Sequence, residues 1–267
     1  MKAKTMKKLM PLLAVTISAA AVAADRTVAE VDTLTANASY GQLVVNADLT
    51  IGEGVTVECT SLRIADGIQG QSATLTLEKD AVLNVTGTDP VQLGSGGGEA
   101  HLVMKTGSSL TADSMNGAAG YASTPASTAV PTRSFVVVSN ATITLNGTVL
   151  TGKNYNGLTF PTIGNWPSGT DKSEVVDEIR LDSGSALYLR NIIKDSSRAA
   201  KIVFNGGKVY SNGQRGTQGG PFISSTGNSK GSPLYIESIN SQPIWIECSH
   251  ANISWHCSKV SGNEVLI

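Results

Sequence analysis

Aromatic residues are scarce in this chain, with four Phe, three Trp and six Tyr among 267 residues. That scarcity argues against a helical enzyme and fits a thin interior filled by Val, Leu, Ile, Ala and Thr. Charge is scarce too: 15% of residues are charged and the formal net charge is -1. A near-neutral chain lacks the long-range field that nucleic acid or an anionic membrane requires, so nucleic acid is excluded as a partner. Three histidines, His101, His250 and His256, stand too far apart in context to argue a nucleophilic triad, and no H-E-x-x-H occurs. Past the amino terminus no long apolar run recurs, so no membrane span is expected in the mature chain. Apolar residues still make up 40% of the total, which excludes wholesale disorder.

What the chain does have is a repeat. In Leu75-Thr76-Leu77-Glu78-Lys79-Asp80-Ala81-Val82-Leu83-Asn84-Val85, apolar and polar residues alternate, a small polar corner intervenes, and alternation resumes. Side chains of a strand point to opposite faces with period two, so this unit is a bent strand with one dry side. Leu49 and Ile51, a corner at Gly52-Glu53-Gly54, then Val55, Val57 and Cys59 repeat it; so do Leu102 and Met104, a corner at Lys105-Thr106-Gly107, then Ser108, Leu110 and Ala112. A further copy reads Phe135 and Val137 inward, a corner at Val138-Ser139-Asn140, then Ala141, Ile143 and Leu145. Ile179 and Leu181 precede Asp182-Ser183-Gly184 and then Ser185, Leu187 and Leu189. In the last copy Ile202 and Phe204 are followed by Lys208 and Tyr210, but Val203 and Val209 serve equally well with a shorter corner, and the register stays open.

Copies that begin at Leu49, Leu75 and Leu102 lie 26 and 27 residues apart, and Leu62-Arg63-Ile64 leaves room for a third strand in each period. A period in this range signals a solenoid, here one built of strands. The expected fold is all-β, a single-stranded right-handed parallel β-helix. A β-sandwich is the alternative, since its short alternating strands recur on a similar scale. The reused corner favours the solenoid, because a hairpin sandwich has no need of one repeated bend.

Residues 1–23 carry the marks of a secretory signal: four lysines in the first eight positions, an apolar stretch, and Ala21-Val22-Ala23 as the cleavage site. The expected organisation is then an N-terminal cap at 24–46, a solenoid at 47–231 with loop insertions at 113–133 and 147–176, and a C-terminal cap at 232–267. The destination is the periplasm, the cell surface or the medium. The glycines from Gly94 to Gly98 are read as a loop, since no Lys-Ser/Thr and no helix pattern follows to cradle a phosphate.

Loops on a rigid scaffold concentrate binding residues, which makes Tyr155, Phe160 and Trp166 surface candidates. Arg180 and Asp182 join them on the outer face opposite Ile179 and Leu181, within an acidic grouping that includes Asp171, Glu174, Asp177 and Glu178. Polysaccharide-cleaving β-helices need carboxylates gathered on one face, as an acid and base pair or as calcium ligands. The acidic residues here are scattered through corners, so no catalytic residue is assigned and a solvated strand face is the preferred account. Cys248 and Cys257 are expected to pair as a disulfide closing the C-terminal end, a loop whose closure contributes about 2 to 3 kcal/mol. Zinc held by Cys248, His250, His256 and Cys257 is the rival, with spacing that matches no common pattern. No cofactor and no metal is expected.

The repeated corners and alternation, together with the signal, resemble the passenger-type β-helices of secreted bacterial adhesins and autotransporters over 43–210. The resemblance is one of repeat texture and carries no residue-level motif. It departs from the autotransporter pattern at the carboxyl end, where Gly262-Asn263-Glu264-Val265-Leu266-Ile267 lacks a terminal aromatic and no barrel strands are recognisable. The resemblance implies a non-catalytic, secreted or surface-exposed solenoid that contacts a host or matrix glycan or protein. A carbohydrate-active β-helix enzyme is the second reading.

Overall fold

The computed structural model describes residues 23–118, 132–147, 157–160, 174–194, 199–211, 223–225, 234–247, 259–261 and 265–266. The expected signal at 1–23, apart from its last residue, lies outside them. Among the described residues there is no helix, and hence none long and apolar enough to cross a membrane. All strand pairs described are parallel. A hairpin sandwich needs antiparallel neighbouring strands, and the described residues hold only one isolated antiparallel bridge, Asp182 to Gly206.

The strands form a nine-stranded and a fifteen-stranded sheet. The chain alternates between them: Ser72–Leu77 lies in the smaller sheet, Val82–Val85 and Val91–Ser95 in the larger, and Glu99–Met104 returns to the smaller beside Ser72–Leu77. The larger sheet divides at the long strand Thr56–Asp66, whose first half pairs with Val82–Val85 and whose second half pairs with Val91–Ser95. Leu62-Arg63-Ile64 sits in that second half, so the period that begins at Leu49 holds three strands, as the spacing predicts.

Like stacks on like in the interior. Leu49, Leu75, Leu102, Val136, Ile179, Ile202 and Ile236 occupy one register position on successive rungs, and none is more than 3% exposed. Val57, Leu83, Leu110, Ile143, Leu187, Val209 and Ile246 form the equivalent column on the larger sheet. Full burial of each such side chain stabilises by about 1.5 to 3 kcal/mol relative to leaving it exposed.

The corners explain their own residue types. Gly54, Asp80, Gly107, Asn140 and Gly184 each end a corner with φ of 66, 57, 77, 49 and 78°. Only Gly, and to a lesser degree Asn and Asp, visits this left-handed region at low cost. Backbone bonds tie corner to corner, from Asp80 N to Thr106 O at 3.0 Å and from Gly107 N to Asn140 O at 2.8 Å.

Two registers are corrected or decided. Val136 and Val138 pair with Leu102 and Met104 and point inward, while Phe135 and Val137, expected inside, lie on the outer face. The corner there is Ser139-Asn140, one residue shorter than in the earlier copies. In the last copy Gly207 and Val209 face in and Lys208 and Tyr210 face out, so the shorter corner holds there as well.

The expected caps and insertions also contain stack. Arg26–Val28, Asp32–Leu34 and Ala38–Val45 pair in parallel as the first rungs within 24–46. Leu234–Ser238, Ile244–Glu247, Lys259–Ser261 and Val265–Leu266 continue both sheets beyond position 231. Met115–Asn116 and Leu158–Phe160 are strands of the larger sheet inside the two stretches expected as insertions.

Candidate functional site

Tyr155 and Trp166, the expected Cys248–Cys257 disulfide and the zinc alternative with His250 and His256 lie outside the described residues. Phe160, expected at the surface, is 3% exposed, because alternation in Leu158–Phe160 turns it into the core with Leu158. Cys59 is a buried hydrophobe as its inward position predicts, and burial pushes its thiol up to about 12.

Arg180 and Asp182 do meet on the outer face of the smaller sheet. Arg180 Nε donates to Asp182 Oδ1 at 2.7 Å, Asn205 Nδ2 donates to the same oxygen at 2.7 Å, and Ser139 Oγ donates to Oδ2 at 2.8 Å. Asn240 Nδ2 in turn donates to Asn205 Oδ1 at 2.9 Å, so the outward corner side chains of successive rungs form a chain. Partial burial works against the charged form of Asp182, yet the bonds from Asn205, Ser139 and Arg180, with the Arg180 charge, outweigh it and hold the carboxyl below its ordinary value. A general acid needs the opposite shift.

The neighbouring carboxylates are engaged one by one. Glu174 pairs with Arg133, and Lys201 Nζ stands 3.8 Å from Glu178 and 3.6 Å from Glu237 on adjacent rungs. Asp177 faces inward, where it accepts from Ala118 N at 2.7 Å and from Ser134 Oγ. It falls in phase with Ile179 and Leu181, and the register irregularity between Val175 and Asp177 brings Val176 inward beside it. Asp171 lies outside the described residues, and among those described no group of three or more His, Cys, Asp and Glu is placed to hold a metal ion.

A different outer face carries the more open chemistry. On the larger sheet, Glu58, Asn84, Thr111, Thr144, Tyr188, Tyr210 and Glu247 share one outward register position on successive rungs. Two residues earlier in the same strands run Thr56, Val82, Ser109, Thr142, Ala186, Lys208 and Trp245. The Tyr188 and Tyr210 rings stack with centroids 4.8 Å apart and planes 14° apart, and Lys208 Nζ lies 4.0 Å over the Trp245 ring. Tyr188 is 37% exposed and, with Val31, is one of the two exposed large hydrophobic residues among those described.

This row was missed in the sequence, although a signal for it exists. Tyr188 and Tyr210 are 22 residues apart, close to the local period, and each follows an inward residue of its copy. With the last register open, Tyr210 could still count as an inward residue, and the outward row was not legible. Comparison with models of protein families, with curated proteins and with solved structures returns no match to this chain.

Proposed function

We propose that this chain is an exported, right-handed parallel β-helix of passenger-type adhesin character, non-catalytic, that contacts a host or matrix glycan or protein through its outer faces. Right-handed winding is the expectation for parallel strands returning to the same sheet. Export rests on the lysines, apolar stretch and small-residue cleavage site of 1–23.

The observation that carries the contact reading is the outward row on the larger sheet, where hydroxyl, amide and aromatic side chains stand on evenly spaced rungs of a rigid interior. Binding sites built on strands hold their groups at fixed separations, and exposed rings beside hydroxyls offer both apolar and hydrogen-bonding contact. Support for contact over cleavage comes from Asp182, whose carboxyl is depressed and shared among three donors.

The test is binding of the secreted chain to immobilised glycans and matrix proteins, run beside an assay for new reducing or unsaturated sugar ends. Saturable binding without sugar release is the expected outcome. Release of sugar ends that disappears in Asp182→Ala would overturn the proposal in favour of the carbohydrate-active reading.

A further inference from the structure

Resting on the contact reading above, we infer that the uncovered face of Tyr188 and the row Asn84, Thr111 and Thr144 form a subsite for a neutral, extended polysaccharide lying across the rungs. The Tyr188 ring has Tyr210 on one face. On its other side the next rung carries Thr144, and the adjoining row there carries Thr142 and Ala186. Short side chains leave a step beside the ring, which accounts for Tyr188 being 37% exposed while Tyr210 is only partly so. A pyranose ring presents C–H groups on its face and hydroxyls around its rim. It fits such a step by laying its face on Tyr188 and its rim on the threonines.

Two further observations choose a neutral glycan over other occupants. Between Glu58 and Glu247 this row has no charged member, so an ionic ligand meets no countercharge on the shelf itself. The cations that flank the shelf are both engaged, Arg190 Nη1 donating to Gly147 O at 2.7 Å and Lys208 lying over Trp245. The strands beneath are paired on both sides, Thr142–Leu145 with Ser109–Ala112 and with Ala186–Leu189. Their backbone groups are therefore spent, and a peptide cannot dock here by adding a strand.

The test titrates the full secreted chain, by calorimetry, with cellohexaose, laminarihexaose and xylohexaose as neutral probes, with polygalacturonate as the acidic probe, and with fibronectin and collagen as matrix-protein probes. The expected result is binding of at least one neutral probe, weakened about fivefold or more in Tyr188→Ala and kept within about twofold in Tyr188→Phe. Thr144→Tyr adds a ring to the ladder and covers the free face. It is expected to abolish binding while the melting temperature holds or rises, which a merely stabilising tyrosine stack would not produce. Unchanged affinity in Tyr188→Ala, or binding confined to polygalacturonate, overturns the inference. Binding of matrix protein without any glycan overturns it and leaves the contact reading standing, whereas no binding to any probe overturns both.

Discussion

The two outer faces of this molecule use their polar groups in opposite ways. On the smaller sheet Arg133 meets Glu174, Lys201 sits between Glu178 and Glu237, and Asp182 is held by Arg180, Ser139 and Asn205. On the larger sheet a row of Asn and Thr runs into two stacked tyrosines, and the first of them is left partly uncovered. One scaffold thus offers a face whose side chains satisfy each other and a face whose side chains remain open to another molecule. Substitutions on the first should change stability, and substitutions on the second should change binding.

Both faces rest on the same interior, so the largest effect should erase the contrast. Phe204→Ala, at the largest fully buried side chain, is expected to cost about 3 to 5 kcal/mol and to lower chemical-denaturation stability whichever face is probed. Asp182→Ala removes the acceptor of three side-chain donors and should cost about 1 to 3 kcal/mol in the same measurement, with ligand binding unchanged.

The pH dependence follows from the sign of the shift. Because the folded carboxyl of Asp182 is held below its ordinary value of 3.8, its stabilisation is fully present above that value and is lost as pH falls through the folded one. Melting temperatures of Asp182→Asn should therefore fall less steeply on acidification below about pH 4 than those of the parent chain. A steeper fall would break the assignment of Asp182 to stability.

Lys201→Glu replaces two favourable cross-rung pairs with two repulsions and should cost about 1 to 2 kcal/mol, an effect that shrinks in high salt. Tyr188→Ala, by contrast, should cost under about 1 kcal/mol of stability, because it gives up one ring stack on a part-exposed surface. The smallest effect is expected at Cys59. With its thiol raised to about 12 by burial, it should resist thiol reagents at pH 8 in the folded chain and react on unfolding.

Much of the fold was legible because its signals are local. Leu75, Leu77, Leu83 and Val85 alternate with polar neighbours, and Gly54, Asp80, Gly107 and Gly184 mark bends that few other residues accept. Phe135-Val136-Val137-Val138 was not legible in phase, since an unbroken apolar run has no contrast from which to read period two. The same weakness hid Tyr210, because the corner at Asn205-Gly206-Gly207 admits two lengths on paper.

The candidate site was less legible than the fold. Arg180 and Asp182 were placed on the outer face from alternation alone, and that placement holds. Their partners could not be read, since Ser139 is 43 residues from Asp182 and Asn205 is 23 away. The inward place of Asp177 follows from alternation with Ile179 and Leu181, but its partners Ala118 and Ser134 could not be read, since they lie 59 and 43 residues away.

By itself, then, the order of residues determined that strands would form, where they would bend, and that like would stack on like, because each of those outcomes depends on neighbours a few positions away. Tertiary structure decided which valines of 135–138 enter the interior, that Asp182 would be bound rather than free, and that Tyr188 would stack on Tyr210 while staying partly exposed. Those outcomes depend on which rung lies above and which lies below, and pairing across rungs is set by the packing of the whole stack.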